Sequence, residues 1–218
     1  MLHHPEVKVE ALLDAARARF TLPPTSPHGA GHWMRVLKYG RVFARELQAD
    51  EALVIVAALS HDCCRQSDDS SDVFHGHRAA DWVAQHNGEL FSFDRQRMRT
   101  LQEMMRQHNE GGYVPSDPTA AAFVSGDRSD IDREGVNLNV SSKYFTPEAW
   151  RVYVDRIMPL KRLTAVAALG VMSSHARSGG WDYPRLLTPG SHRRSSWLIS
   201  SLMRSSLNRL NANSHSTH

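Results

Sequence analysis

Four residues, His32, His61, Asp62 and Asp127, offer two imidazoles and two carboxylates. A mixed nitrogen and oxygen donor set suits Mn, Fe, Co, Ni or Zn, with Mg also admitted through the carboxylates, rather than a thiophilic ion. Four protein donors on an ion that prefers six leave positions for water and a phosphate oxygen. Such an ion lowers the pKa of its water and polarises a phosphoryl group. His61 and Asp62 are sequence neighbours, and neighbours on a helix point about 100° apart. Both reach one ion only if it lies near the helix end, and the apolar run Leu53 to Leu59 stops there, at Ser60. The residues by themselves leave a second reading open, in which a buried His and Asp satisfy helix-end groups.

Other polar residues fall around this set. Arg35 lies three residues after His32 and so shares its helix face, where it could bind phosphate or hold a carboxylate ligand. Arg65 and Arg78 are candidates for a two-pronged grip on phosphate. Asp68 and Asp130 are candidates for acid–base work or for orienting a metal-bound histidine, Asp130 on the face of Asp127. Trp33 reads as core rather than as a platform for a base.

Positioning these groups falls to helices. Apolar residues at three- and four-residue steps predict helices over about 5–20 and 28–48. Asp50 reads as the N-cap of an apolar, buried helix from Glu51 to Ser60. Further helices are expected over about 76–87, ended near Gly88, and 95–108, capped by Asp94. Pro118 suits the first turn of a helix over about 119–131, and Thr146-Pro147-Glu148 opens one to about 157. Pro159 is expected to break the chain before a helix over about 160–176. Residues 136–140 read as a loop or a minor extended piece. The expected architecture is all-α, a helical bundle with the site at its centre, over residues 1–177. Residues 178–218 read as a basic Ser/Arg-rich tail with one weak amphipathic stripe at about 196–210.

The local strings sharpen this. The order H…HD…D resembles the HD superfamily of metal-dependent phosphohydrolases. HGAGHWMRV (28–36) is similar to a bacterial subgroup's HGxxHWxRV, and AALSHDCCRQSDD (57–69) to its ALFHDxRRxND. HGHRAA (75–80) resembles HGxRAA, while DPT (117–119) and GDRSDIDREGV (126–136) resemble DPT and ADRLDLxRVGI. The resemblance implies His32, His61, Asp62 and Asp127 as metal ligands. It adds His75 and His108, which bind a second ion in two-metal relatives and sit over the substrate in one-metal relatives; one tight metal, with both facing the phosphate, is the expectation. His77 is a nearby competitor at the variable position of its motif. Three departures stand out. Gly126 and Ser129 replace Ala and Leu and are expected to loosen the helix bearing Asp127. Arg65 stands where many nucleotidase relatives carry a water-activating Glu.

Bulk properties exclude other classes. The 218 residues are 41% hydrophobic and 22% charged, ordinary for one soluble domain. No apolar run approaches the roughly 18 residues of a membrane helix, and the N-terminus has no signal-peptide pattern, so a cytoplasmic protein is expected. The net charge of +3 belongs to the tail, since five arginines and no acids follow Asp182. The body therefore offers no nucleic-acid surface. Cys63 and Cys64 read as free thiols. The expected activity is hydrolysis of a phosphoester of a nucleotide or small phosphorylated metabolite. The rivals are a di-iron oxygenase, which needs the six-ligand set, and a non-catalytic binding or scaffold module. Oligomeric state and substrate are left open.

Overall fold

The computed structural model describes residues 3–110, 112–131 and 140–163. They fall in one unit, Met1–Gly170, and the proposed tail lies outside them. The described residues are helical: α1 Val9–Arg19, α2 Ala30–Glu46, α3 Glu51–Ser60, α4 His75–Gln85, α5 Arg95–Gln107, α6 Pro118–Arg128 and α7 Pro147–Val152. Isolated bridges of Val7 to His4 and Phe91 tie the N-terminal segment to the loop before α5. No helix among the described residues is long and apolar enough to cross a membrane.

α3 is the axis of the fold. Its sequence, EALVIVAALS, has apolar side chains on every face, and every residue from Ala52 to Ser60 is buried. The helix starts where Asp50 places Oδ1 against the amides of Ala52, at 3.1 Å, and Leu53, at 3.3 Å. Such a cap contributes on the order of 1 kcal/mol. The other Asp50 oxygen accepts Arg97 Nε at 2.8 Å, and Arg97 Nη1 reaches Glu6 at 2.7 Å. One guanidinium thus joins α5, the head of α3 and the N-terminal segment. Around α3 pack α1, α2 and α6, and α4 lies against α5. Asp94, Asp117 and Thr146 cap α5, α6 and α7 through their side-chain oxygens.

Two close helix crossings set the geometry. At Gly126 an added Cβ would lie 2.8 Å from Gly40 N and 2.9 Å from Gly40 Cα, so α2 and α6 touch backbone to backbone. At Gly76 it would lie 2.3 Å from Met105 O and 3.1 Å from the His108 ring. Only glycine permits these approaches. This corrects the expectation that Gly126 loosens α6: there the lost helix propensity is secondary to the contact it allows. Nor does Ser129 loosen the helix. It is fully buried, just past the last residue Arg128, and its Oγ donates to Ser125 O at 2.7 Å.

Pro159 also behaves differently from expectation. The chain stays helical through it to residue 163, after a π-helical turn at Tyr153–Ile157. The wider turn changes the hydrogen-bond register one turn ahead of the proline, where its missing N–H and its ring would otherwise disrupt an α-helix. Residues 136–139 and 164 onward lie outside the described residues. So do the expected helix beyond 163 and the stripe at 196–210.

Gly126→Ala should therefore destabilise the protein by about 1–3 kcal/mol, the range for overpacking a tight core. Gly31→Ala is the control, since its nearest neighbour would be Arg35 Nη1 at 3.5 Å. Urea unfolding of both variants checks this, with the control near wild type.

Candidate metal centre

The ends of five helices converge on one point. His32 lies in the first turn of α2, His61 is the C-cap of α3, and His75 opens α4. His108 is the C-cap of α5, and Asp127 lies in the last turn of α6. The position of His61 at the helix end lets His61 and Asp62 face one centre although they are neighbours. Three of the five ends are helix C-termini, whose partial negative charge favours a cation. All four histidines and Asp62 are buried, and Asp127 is 9% exposed.

The donor atoms form two groups. In the first, His32 Nε2 is 3.1 Å from both His61 Nε2 and Asp127 Oδ1. Asp62 Oδ2 lies 3.5 Å from His61 Nε2 and 3.7 Å from His32 Nε2. In the second, His75 Nε2 is 3.1 Å from His108 Nε2 and 3.2 Å from Asp62 Oδ1. His108 Nε2 is 3.8 Å from that oxygen. Asp62 thus turns one oxygen to each group.

Each ring is oriented from behind. The Nδ1 atoms of His61, His75 and His108 face the carbonyls of Ala58, Asp72 and Met105 at 3.2, 2.5 and 2.6 Å. His32 Nδ1 faces Asp130 Oδ2 at 2.8 Å, and Arg35 Nε holds the other Asp130 oxygen at 2.7 Å. An acceptor beside Nδ1 puts the proton there, so each Nε2 presents a lone pair to the centre. Two lone pairs 3.1 Å apart repel unless a cation lies between them. Donors adjacent on an octahedron of 2.1 Å bonds are about 3.0 Å apart, close to the shortest separations here. The residues present fit a divalent ion, and His32, His61 and Asp127 have ligand atoms mutually within 4.8 Å, as do His61, Asp62 and His108.

Burial favours the ligand forms of these groups. Desolvation pushes His61 down to about 3, against the pull of Asp62 and Asp127. His75 is pushed to about 4 by burial and then by His108. Burial would raise the carboxyls, yet His61, once it takes its proton in acid, and the hydrogen bond from His28 hold Asp62 well below the usual range. His32 and His61 lower Asp127 in the same way, and His32 with Arg35 lowers Asp130. Neutral rings and ionised carboxylates are what a metal requires.

The remaining sequence candidates divide. Arg35 and Asp130 stand behind His32. Arg65 Nε lies 3.1 Å from Asp62 Oδ1. Arg78, expected at phosphate, instead holds Asp72 with Nη2 at 2.5 and 2.7 Å and Cys64 O with Nε at 3.1 Å. A nearby carboxylate claimed its fork, and the pair braces the loop that leads to His75. Asp68 is exposed and accepts Ser26 Oγ at 2.5 Å, so it joins two loops and makes no described contact with the cluster. His77 is exposed and packs edge to face on Phe74. Trp33 is fully buried and meets Phe20 edge to face at 5.3 Å. Cys63 and Cys64 are buried free thiols. Sequence reasoning missed His28, whose Nδ1 is 3.0 Å from Asp62 Oδ2. It also missed Asp72, which orients His75. His28 opens the first motif string, the one signal that could have drawn attention to it.

Residues 29–136 match the family model of the HD domain. The chain is similar in fold to a solved structure of a predicted HD superfamily hydrolase from an uncultured Thermotogales bacterium. The TM-score is 0.52 at 22% identity, over 78% of this chain and 92% of that one. Among curated proteins none matches significantly. The chain is an HD-domain protein.

Burying neutral rings makes stability depend on pH. Unfolded histidines titrate near 6.5, while folded His61 and His75 take a proton only near 3 and 4. Below pH 6.5 the unfolded metal-free chain binds more protons than the folded one, so stability falls with pH. The slope is at most about 1.4 kcal/mol per pH unit for each such ring. Urea midpoints of the metal-free protein should drop from pH 7.5 to 5.5; a flat profile would refute the assignment of neutral rings.

Proposed function

We propose that this protein is a metal-dependent hydrolase of phosphoesters, acting on a nucleotide or a small phosphorylated metabolite. The observation that carries the reading is the buried pair of donor groups sharing Asp62, with four Nε2 lone pairs converging on them. His32, His61, Asp62 and Asp127 would hold one ion. When bound, a divalent cation supplies Lewis acidity toward a water and a phosphoryl oxygen.

The chain's own residues provide orientation and charge. Asp130 fixes the tautomer and angle of His32, and Arg35 fixes Asp130. Asp62, Asp127 and Asp130 bring three negative charges, and Arg35 and Arg65 two positive ones. Any divalent ion therefore makes the cluster net positive, which favours an anionic group such as phosphate. Apolar surroundings, including Phe123 packed 5.5 Å from the His61 ring, keep the effective dielectric low and strengthen that attraction.

The arrangement of His75 and His108 favours two ions over one. The expectation from sequence placed both rings over the substrate of a one-metal enzyme. With their Nε2 atoms 3.1 Å apart and turned to Asp62 Oδ1, they are set as ligands to a second cation. Elemental analysis should find two metals per chain in wild type and about one in His75→Ala and His108→Ala. Asp62→Ala should lose both ions and all phosphatase activity across a panel of nucleotides and sugar phosphates. One metal in wild type, unchanged in the two histidine variants but with turnover down 10²–10⁴-fold, would restore the one-metal mechanism. Full metal content in Asp62→Ala would refute the reading of the site.

A further inference from the structure

The Asp62 carboxylate can serve both donor groups only in one rotation about its Cβ–Cγ bond. Turned a quarter circle, neither oxygen would face its histidines. The side chain is 2% exposed, so water does little to hold it. Two donors from outside the ligand set lie against it. His28 Nδ1 is 3.0 Å from Oδ2, and Arg65 Nε is 3.1 Å from Oδ1. One sits on the side of the His32–His61 group and the other on the side of the His75–His108 group.

Both donors are themselves held. The backbone N–H of His28 donates to Ser26 Oγ at 3.1 Å, and Ser26 Oγ donates to Asp68 Oδ1 at 2.5 Å. Arg65 Nη1 donates to Ser67 O at 3.0 Å and to Asp69 O at 3.5 Å. The loop before α2 and the turn after α3 are thus joined at Ser26–Asp68, and each sends one donor to the same carboxylate. The orientation of His28 also separates it from the ligands. His32, His61, His75 and His108 put Nδ1 on an acceptor behind them and Nε2 into the centre. His28 spends Nδ1 on Asp62 itself.

We propose that His28 and Arg65 are positioning residues, a two-sided clamp that sets the Asp62 carboxylate across the two donor groups. The clamp rests on the reading of the site as a metal centre, and it acts through the carboxylate without touching the reacting atoms. Losing an outer partner of this kind typically weakens metal binding 10–100-fold.

The donor can be separated from the bulk. An Asn side chain carries an N–H donor near the position of the His Nδ1, whereas Leu fills similar space with none. Titration of metal-free protein with Mn²⁺, followed calorimetrically, should give His28→Leu at least tenfold weaker binding than wild type. His28→Asn should stay within about threefold. Arg65→Met should weaken binding like His28→Leu, and Arg65→Lys should recover part of it. Every variant should remain folded without metal, as circular dichroism checks, and the affinity loss should persist at temperatures well below its melting point, which separates positioning from unfolding. Wild-type affinity in both His28→Leu and Arg65→Met would overturn the clamp. Equal damage from Leu and Asn at position 28 would show that ring shape, not the donor, matters, and would also overturn it. If His28→Leu fails to fold, the Arg65→Met and Arg65→Lys pair decides alone. A wild type that takes up no Mn²⁺ would instead remove the metal-centre reading itself.

Discussion

Imidazoles and carboxylates at van der Waals range, out of water, are expensive to assemble, because each polar group gives up hydration that only a partner can replace. Here every ring of the cluster has an acceptor behind Nδ1, and Asp62 and Asp130 each have a donor from outside the ligand set. That set of outer partners is the constraint the rest of the structure serves. Three of the four acceptors are backbone carbonyls three residues before the ring. Those three rings are oriented by local chain geometry, and His32 by a partner from another helix end.

Bringing the locked rings together is the work of the helices. The apolar run of α3 buries itself and carries His61 and Asp62 to the middle of the fold. Gly40 against Gly126 lets α2 and α6 approach until His32 and Asp127 meet, and Gly76 does the same for His75 and His108. At both crossings a methyl group would collide with backbone, which cannot move aside as a flexible side chain would. The composition of the crossings and the composition of the site are thus two aspects of one requirement.

Electrostatics ties the two donor groups into one centre. Asp62 is the member common to both, and its two oxygens face different pairs of rings. In this low-dielectric setting a carboxylate flanked by His28 and Arg65 keeps its charge and its orientation, while burial disfavours the charged forms of His61 and His75. The same departure that places Arg65 where relatives carry a glutamate places a cation beside this carboxylate.

The sequence by itself determined the helical class and most helix ends. Capping is a local event, and Asp50, Asp94, Asp117 and Thr146 act on amides two or three residues away. The donor types were also legible, since residue identity and order along the chain are enough to match the HD pattern. Partners remote in sequence were not. Asp130 and His32 are 98 residues apart, and His28 and Asp62 are 34 apart. Arg78 looked free for phosphate because nothing in a linear string shows that Asp72 will fold onto its guanidinium. Gly126 looked like a weak helix residue because propensity is local, while the Gly40 backbone that it meets is supplied by another helix. Pro159 looked like a break because the π turn that accommodates it forms only in the folded segment. Tertiary structure decided these points, because side-chain pairing and helix approach depend on distances through space that spacing along the chain does not encode.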